Sequence, residues 1–123
     1  MKARPSLRDA RPQDSESLAA LAGQLGYPNE PLAVRRRLEA QAGRPGQRIL
    51  VAEAEGRVIA WMGLEVVDHF YTPAFVMITG FVVDEAHRGR GTGALMLAEA
   101  EAWTRAQGLG RLRLKANVLR TDA

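Results

Sequence analysis

Residues 81–107 read FVVDEAHRGRGTGALMLAEAEAWTRAQ, and this stretch combines three kinds of local structure. Its first segment, 81–83, is aromatic and β-branched, which favours a buried strand. Residues 94–103 are rich in strong helix formers and contain no β-branched residue, so they predict a helix. Between them, residues 88–93 hold three glycines at alternate positions and two arginines. The stretch therefore predicts a strand, a glycine-rich turn and a long amphipathic helix.

The glycine-rich turn has the features of an anion site. A helix that begins near Gly91 would direct its first unpaired N–H groups, and the positive end of its dipole, towards the turn. Glycines let a ligand approach the backbone closely, and Arg88 and Arg90 add positive charge. We therefore expect the turn to suit a phosphate or a pyrophosphate.

Two common phosphate-binding motifs do not fit this turn. A P-loop closes with Gly-Lys-Ser/Thr, whereas this turn closes with Gly91, Thr92 and Gly93 and has no lysine. A dinucleotide fingerprint spaces its glycines as Gly-x-Gly-x-x-Gly and has an acid about twenty residues later. Here the spacing is Gly-x-Gly-x-Gly, and Arg113 occupies the position of the acid. A purely structural turn between strand and helix is the remaining alternative.

The turn resembles a known motif. After a strand that ends in a hydrophobic-x-Val pattern at 81–83, residues 88–94 read RGRGTGA. This arrangement resembles the acyl-CoA signature of the GNAT acyltransferase superfamily, Arg/Gln-x-x-Gly-x-Gly/Ala. The resemblance implies an α/β (α+β) fold whose mixed central sheet splays between its fourth and fifth strands and carries helices on both faces.

The same resemblance implies acetyl-CoA as co-substrate. Main-chain groups of the fourth strand would contact the acyl and pantetheine portions, and the turn would hold the pyrophosphate. The cofactor-binding residues implied in this way are Phe81, Val82, Val83, Arg88, Gly89, Arg90, Gly91, Thr92, Gly93 and Ala94.

The rest of the chain predicts the element order β-α-α-β-β-β-α-β, which is also the GNAT order. Leu18, Leu21, Ala22 and Leu25 repeat at helical spacing and mark a buried helix face. The predicted strands span 6–8, 48–53, 58–67, 74–83 and 111–115, and the other helices begin at Pro12 and span 31–42. A right-handed crossover should place the fifth strand parallel to the fourth. Gly80 fits a bulge at the splay.

Length and composition indicate one domain, residues 1–123, of an ordinary globular protein. The chain is 46% hydrophobic and 25% charged, which is typical of soluble domains. No apolar run approaches the roughly 20 residues that span a bilayer, and the first residues lack a signal-peptide core, so we expect a cytoplasmic protein without a membrane partner. Cysteine is absent, which excludes disulfides and thiolate sites. The net charge of +3 with dispersed arginines does not favour nucleic-acid binding.

The sequence stops soon after the fifth predicted strand. GNAT proteins usually continue for roughly 25 residues with a helix and two strands that would cover the edge of the sheet. That helix usually begins Arg-x-Asp-Ala-x-x-Phe-Tyr, and its tyrosine is the usual general acid. Residues 120–123, RTDA, match only the first four positions. We therefore expect a domain without its C-terminal segment, either completed by a second copy in a homodimer or derived from a longer protein.

The expected reaction is direct attack of an amine on the thioester, which needs a base for the amine and an acid for the thiolate. Residues 74–83 hold no acid and no histidine. Glu65 on the third strand could act as the base through a water molecule, and the alternative is a surface carboxylate. His69 is expected to be an exposed loop residue, and His87 a residue at the cofactor rim. The histidines and acids show no metal-ligand spacing.

The connector between the first two helices would contribute to the acceptor site. Tyr27, Asn29 and Glu30 lie where GNAT substrates usually bind, although such a connector is common in proteins. The triplet 35–37, RRR, is interpreted as a solvated helix face rather than a phosphate contact. The sequence thus predicts an N-acetyltransferase that acts on a primary amine of a small molecule or protein. The alternative is a non-catalytic CoA-binding or interaction module, or a truncated inactive form.

Overall fold

Residues 4–115 are described by the computed structural model, and they form one sheet flanked by helices. The strands are β1 (Ser6–Asp9), β2 (Gln47–Ala54), β3 (Arg57–Val67), β4 (Phe75–Val83) and β5 (Leu112–Leu114). The helices are α1 (Ser15–Leu25), α2 (Pro31–Gln41) and α3 (Thr92–Ala106), with 3₁₀ turns over Pro12–Asp14 and Glu85–His87. The predicted order is confirmed. The helix predicted to begin at Pro12 starts instead as a 3₁₀ turn, and its α-helical part begins at Ser15.

The sheet has the strand order β1-β2-β3-β4-β5. Its first four strands pair antiparallel, and β4 pairs parallel with β5. The parallel pair follows from the helical crossover through α3, as the handedness rule predicts. The predicted fold class, a mixed sheet in an α/β domain, is therefore confirmed.

One face of the sheet packs against α3. Met96 and Ala100 of α3 are fully buried and belong to the same hydrophobic cluster as Met62 of β3 and Phe81 of β4. Strong helix formers on α3 thus present their small and flexible side chains to the middle strands. This cluster forms the larger part of the core.

The opposite face packs against α1. Leu21 and Leu25 form a second buried cluster with Val82 of β4, and Trp61 of β3 packs against it. Trp61 and Met62 are neighbours in one strand, so their side chains point to opposite faces. Because β4 is covered on both faces, its sequence is almost continuously apolar.

A β-bulge interrupts the pairing of β3 with β4. Gly63 lies opposite Gly80, but the next pair is Leu64 with Ile78, so Thr79 is the extra residue. The sequence predicted a bulge at Gly80, and the bulged residue is its neighbour. Gly80 instead provides space, because a Cβ atom there would lie 2.6 Å from Cη2 of Trp61.

The pairing of β4 with β5 is short. It runs from Val76 to Ile78, and the last hydrogen bond joins the Lys115 N–H to the Ile78 carbonyl at 3.1 Å. β4 continues to Val83, beyond the last residue that the described part of β5 pairs with. Within residues 4–115, β5 is the edge strand of the sheet. That a second copy covers this edge stays a prediction.

An ion-pair network attaches β1 to the start of α1. Both Arg8 Nη atoms donate to the Asp14 carboxylate, at 2.8 and 2.9 Å, and the Arg11 N–H donates to it at 2.7 Å. Arg8 Nε also donates to Glu53 on β2 at 2.8 Å. The Arg8 hydrogen bonds lower the pKa of Asp14 below its ordinary value of 3.8, although burial opposes this effect.

We predict that Gly80→Ala lowers the free energy of unfolding by about 1–3 kcal/mol, because the new methyl group meets the packed indole ring of Trp61. The loss should shrink by about 1 kcal/mol in a Trp61→Phe background, since phenylalanine lacks the outer ring atoms. Trp61 Nε1 is buried without a hydrogen-bond partner in the described residues, so the Trp61→Phe change leaves no acceptor unpaired. Urea denaturation of the wild type, the two single variants and the double variant measures the coupling between Gly80 and Trp61.

The matched control is Gly23→Ala in α1, where no neighbouring heavy atom lies within 4 Å of the added Cβ. Because alanine favours the helix, this change should stabilise the protein by up to about 1 kcal/mol. A neutral Gly80→Ala in both backgrounds would contradict the packing described for Trp61.

We predict that Asp14→Asn costs about 2 kcal/mol of stability at neutral pH, because Arg8 loses the charge of its buried partner. The folded-state pKa of Asp14 is lowered, so its stabilisation is complete above 3.8 and is lost as the pH falls through the lower folded value. Urea denaturation at pH 7 and about pH 3 should therefore show a smaller mutational loss in acid. Asp68→Asn, in an exposed loop, is the control. If Asp14→Asn costs as much stability in acid as at neutral pH, the ion pair does not stabilise the fold in the way described.

Candidate functional site

The turn before α3 depends on glycine at two positions. Gly89 has φ +77° and Gly91 has φ +82°, both in the left-handed region that other residues rarely adopt. A Cβ atom at either position would have no neighbouring heavy atom within 4 Å. The glycines are therefore required by backbone conformation, and they leave open space above the turn.

The first turn of α3 has unpaired amides. The first helical hydrogen bond joins the Leu95 N–H to the Gly91 carbonyl at 3.1 Å. The amides of Thr92, Gly93 and Ala94 precede this bond, so they have no acceptor within the helix. N–H groups in this position and the helix dipole are features of anion sites, and binding of an anion at this turn stays a prediction.

Arg88 connects the turn to the end of β4. Its Nε donates to the Val83 carbonyl at 3.0 Å, and its side chain is half-buried. Arg90 is exposed at the mouth of a cavity that His87 and Gly91 also line. The two arginines thus place positive charge next to the first amides of α3, and the role of His87 as a cofactor-rim residue stays a prediction.

α3 also lies close to β4. A Cβ atom on Gly93 would lie 3.4 Å from Cζ of Phe81, which is an ordinary van der Waals distance. Phe81 and Val82 are buried, on the α3 and α1 faces respectively, and Val83 is half-buried. The predicted cofactor residues of β4 and of the turn are therefore neighbours in space.

A hydrogen-bond network that the sequence analysis missed fixes the segment before the turn. Gln24 of α1 donates to Asp84 at 3.0 Å and accepts from the Glu85 N–H at 3.2 Å. His87 Nδ1 lies 3.0 Å from the other Asp84 oxygen. The Gln24 hydrogen bond is the main reason why the pKa of Asp84 is lowered. Gln24 is distant in sequence, and no local pattern identifies it.

A cavity of about 460 Å³ lies on the opposite face, between α1, α2 and β4. The predicted acceptor residues Tyr27 and Asn29 line it, together with Thr79 and Gly80 at the bulge. Glu30 is exposed and is not among the described lining residues, and its carbonyl accepts from the Val34 N–H at the start of α2. The structure thus brings two of the three predicted acceptor residues to the strand that the cofactor residues occupy.

Glu65 lines an adjoining cavity of about 350 Å³. Thr79 lines both cavities, so Glu65 lies beside the acceptor cavity rather than in it. Its carboxylate accepts a long hydrogen bond from Gln47, at 3.4 Å. His69 is exposed in the loop after β3, and its ring stacks on Tyr71 with centroids 5.2 Å apart. The role of Glu65 as a water-mediated base stays a prediction.

Residues 4–115 contain neither a metal-ligand cluster nor a membrane-spanning helix. In that range no three acidic or histidine side chains come close enough together to bind a metal ion. No helix there has the length and apolarity that a membrane crossing requires.

The sequence matches the model of the acetyltransferase (GNAT) family over residues 13–123. The chain belongs to the GNAT family. A comparison with curated proteins found no significant match. The resemblance noted at residues 81–94 is therefore confirmed at the level of the family, and the turn before α3 is the segment of this GNAT domain that carries it.

Solved structures have the same fold. A GNAT family acetyltransferase from Staphylococcus aureus subsp. aureus USA300_TCH1516 superposes with a TM-score of 0.81 at 20% identity, over 98% of this chain and 95% of that one. Glucosamine-6-phosphate N-acetyltransferase from Arabidopsis thaliana gives 0.81 at 20%, over 93% and 83%. An aminoglycoside 6'-N-acetyltransferase from Acinetobacter haemolyticus gives 0.76 at 16%, over 90% and 79%. At these identities the likeness shows the fold alone.

Proposed function

We propose that this GNAT protein is an N-acetyltransferase that moves an acetyl group from acetyl-CoA to a primary amine by direct attack. The observation that carries the proposal is the convergence of two features on one segment of β4. The unpaired amides of α3 lie on one side of the sheet, and the cavity between α1 and α2 lies on the other. Both reach β4 near Thr79 to Phe81, beyond its last described pair with β5.

The turn fits the diphosphate of CoA. The amides of Thr92, Gly93 and Ala94 would donate to its oxygens, and Arg88 and Arg90 would offset its charge. The open space above Gly89 and Gly91 lets the anion approach the backbone. Bound acetyl-CoA supplies an activated acetyl thioester. β4 main-chain groups near Phe81 and Val82 would position the acyl end and polarise its carbonyl.

The reaction then requires two proton transfers. The amine nitrogen bonds to the acetyl carbon, the carbon–sulfur bond breaks, and the thiolate leaves with the electron pair. The amine gives up a proton to a base, for which we propose Glu65 acting through a water molecule near Thr79. The thiolate takes up a proton from a general acid, a role that we assign to no residue within 4–115.

A non-catalytic CoA-binding module is the second candidate. It is favoured by one observation, that no acidic residue and no histidine lies among the described lining residues of the acceptor cavity. Incubation with acetyl-CoA and a panel of amines, followed by detection of free thiol, separates the two candidates. Thermal stabilisation by CoA without thiol release from any amine would favour the binding module.

We predict that Gly91→Ala weakens CoA binding by about tenfold or more, because a methyl group enters the space above the turn and the left-handed backbone is strained. Gly108→Ala is a matched control. Gly108 has φ +76°, lies beyond the other end of α3, and also has no neighbour within 4 Å of its Cβ. Both variants should lose similar stability, and calorimetric titration with CoA should show weaker binding only for Gly91→Ala. Equal affinities in the two variants would contradict the assignment of the turn.

We predict that Glu65→Gln lowers kcat by about 10²–10⁴-fold, because the amide cannot accept the proton. The affinity for CoA should not change, since Glu65 lies on the acceptor side of the sheet. Steady-state kinetics with an active amine measures the effect, and Glu101→Gln, an exposed acid on α3, is the control. A Glu65→Gln protein with full activity would eliminate Glu65 as the base.

A further inference from the structure

We infer that the acceptor amine carries an anionic group, such as a carboxylate, on an apolar body, and is not a polycation. This inference rests on the proposed acetyl transfer, because it concerns the cavity between α1, α2 and β4. The volume of that cavity, about 460 Å³, lies within the range of small-molecule sites.

The walls of the cavity are mainly apolar. Leu18 and Leu25 of α1 contribute to one wall, and Val34 and Leu38 of α2 contribute to another. No residue of α2 is fully buried, and its half-buried Val34 and Leu38 border the cavity instead of completing the core. Trp61 adds an aromatic surface next to the bulge. An acceptor with an apolar or aromatic body would fill this space and remove these surfaces from water.

The charges at the cavity are positive. Arg37 of α2 and Lys115, which follows β5, both line it, and none of the described lining residues is acidic. The two cations come from separate elements, so an anionic group in the cavity would be attracted from two directions. A polycationic acceptor would meet repulsion from both cations, and no carboxylate among the described lining residues would offset it.

Arg37 is held in a defined position. Its Nη1 donates to Asn29 Oδ1 at 2.6 Å, and Asn29 Nδ2 donates to the Tyr27 carbonyl at 2.8 Å. These bonds connect α2 to the segment that links it to α1. A guanidinium has five N–H donors, so it can bind a carboxylate through two of them while donating another elsewhere. Arg37 is therefore the residue that we expect to select the anionic group, with Lys115 in support.

The test compares three acceptors that share one aromatic body: phenylalanine, phenylalaninamide and phenethylamine. Phenethylamine lacks the carboxylate but keeps an amine about as basic as that of phenylalanine, whereas the amide lacks the charge and has a less basic amine, so the two analogues together separate charge from amine basicity. Phenylalanine should have a kcat/KM roughly tenfold above both analogues, and kanamycin, a polycation, should be the poorest acceptor. Phenethylamine that is acetylated as well as phenylalanine would contradict the inference. Arg37→Gln should abolish the preference for phenylalanine over the amide. Arg36→Gln, an exposed neighbour outside the cavity lining, should retain it.

The inference is overturned if the amide or kanamycin equals or exceeds phenylalanine, or if Arg37→Gln keeps the preference. If no amine is acetylated, the proposed function fails. The inference about the anionic group is then tested separately, by ligand binding. In that case N-acetylphenylalanine and N-acetylphenethylamine are titrated into the protein saturated with CoA. Tighter binding of the carboxylate compound, lost in Arg37→Gln, supports the inference. Equal binding, or no binding of either compound, contradicts it.

Discussion

Gly80 lies against the indole ring of Trp61, and this contact fixes how closely β4 packs against β3 beside the cavity. The ring occupies the space that a side chain would need, so the strand passes close to β3 with a bulge at Thr79. The described pairing with β5 ends one residue before the bulge, at Ile78. The segment from Thr79 to Val83 is thus fixed by packing on both faces while its outer edge lies beyond that pairing.

The two faces of the sheet present different chemistry to this segment. On the α3 face, the groups that we propose for cofactor binding are backbone amides whose direction is fixed by the helix and by left-handed glycines. On the α1 face, the groups that we propose for acceptor binding are side chains around a cavity between α1 and α2. Backbone contacts suit a ligand part that does not vary, such as a diphosphate, whereas side-chain contacts can select among acceptors. Both faces carry positive charge, from Arg88 and Arg90 on one and from Arg37 and Lys115 on the other.

Local sequence patterns predicted the helices and strands because each of these segments is built from residues that favour its own conformation. The segment 94–103 favours a helix, and the alternation of 111–115 favours a strand, whatever the surroundings. The glycine turn was predictable for the same reason, since its conformation requires those residues. Contacts between distant segments were not predictable. Gln24 binds Asp84 only because α1 packs beside the end of β4, and Arg37 lines a cavity only because α2 packs against α1. The bulge lies at Thr79 and not at Gly80, and the role of Gly80, to leave room for Trp61, depends on a contact between strands that no local pattern shows.

We propose that the amides before and within the first turn of α3 hold the diphosphate of CoA. The amide ¹H–¹⁵N NMR spectrum of the protein, recorded during titration with CoA and, separately, with pantetheine, which lacks the diphosphate, tests this proposal residue by residue. The amide signals of residues 88–94 should shift strongly with CoA and remain in place with pantetheine. Shifts of these signals with both compounds alike, or shifts with CoA centred elsewhere in the chain, would contradict it.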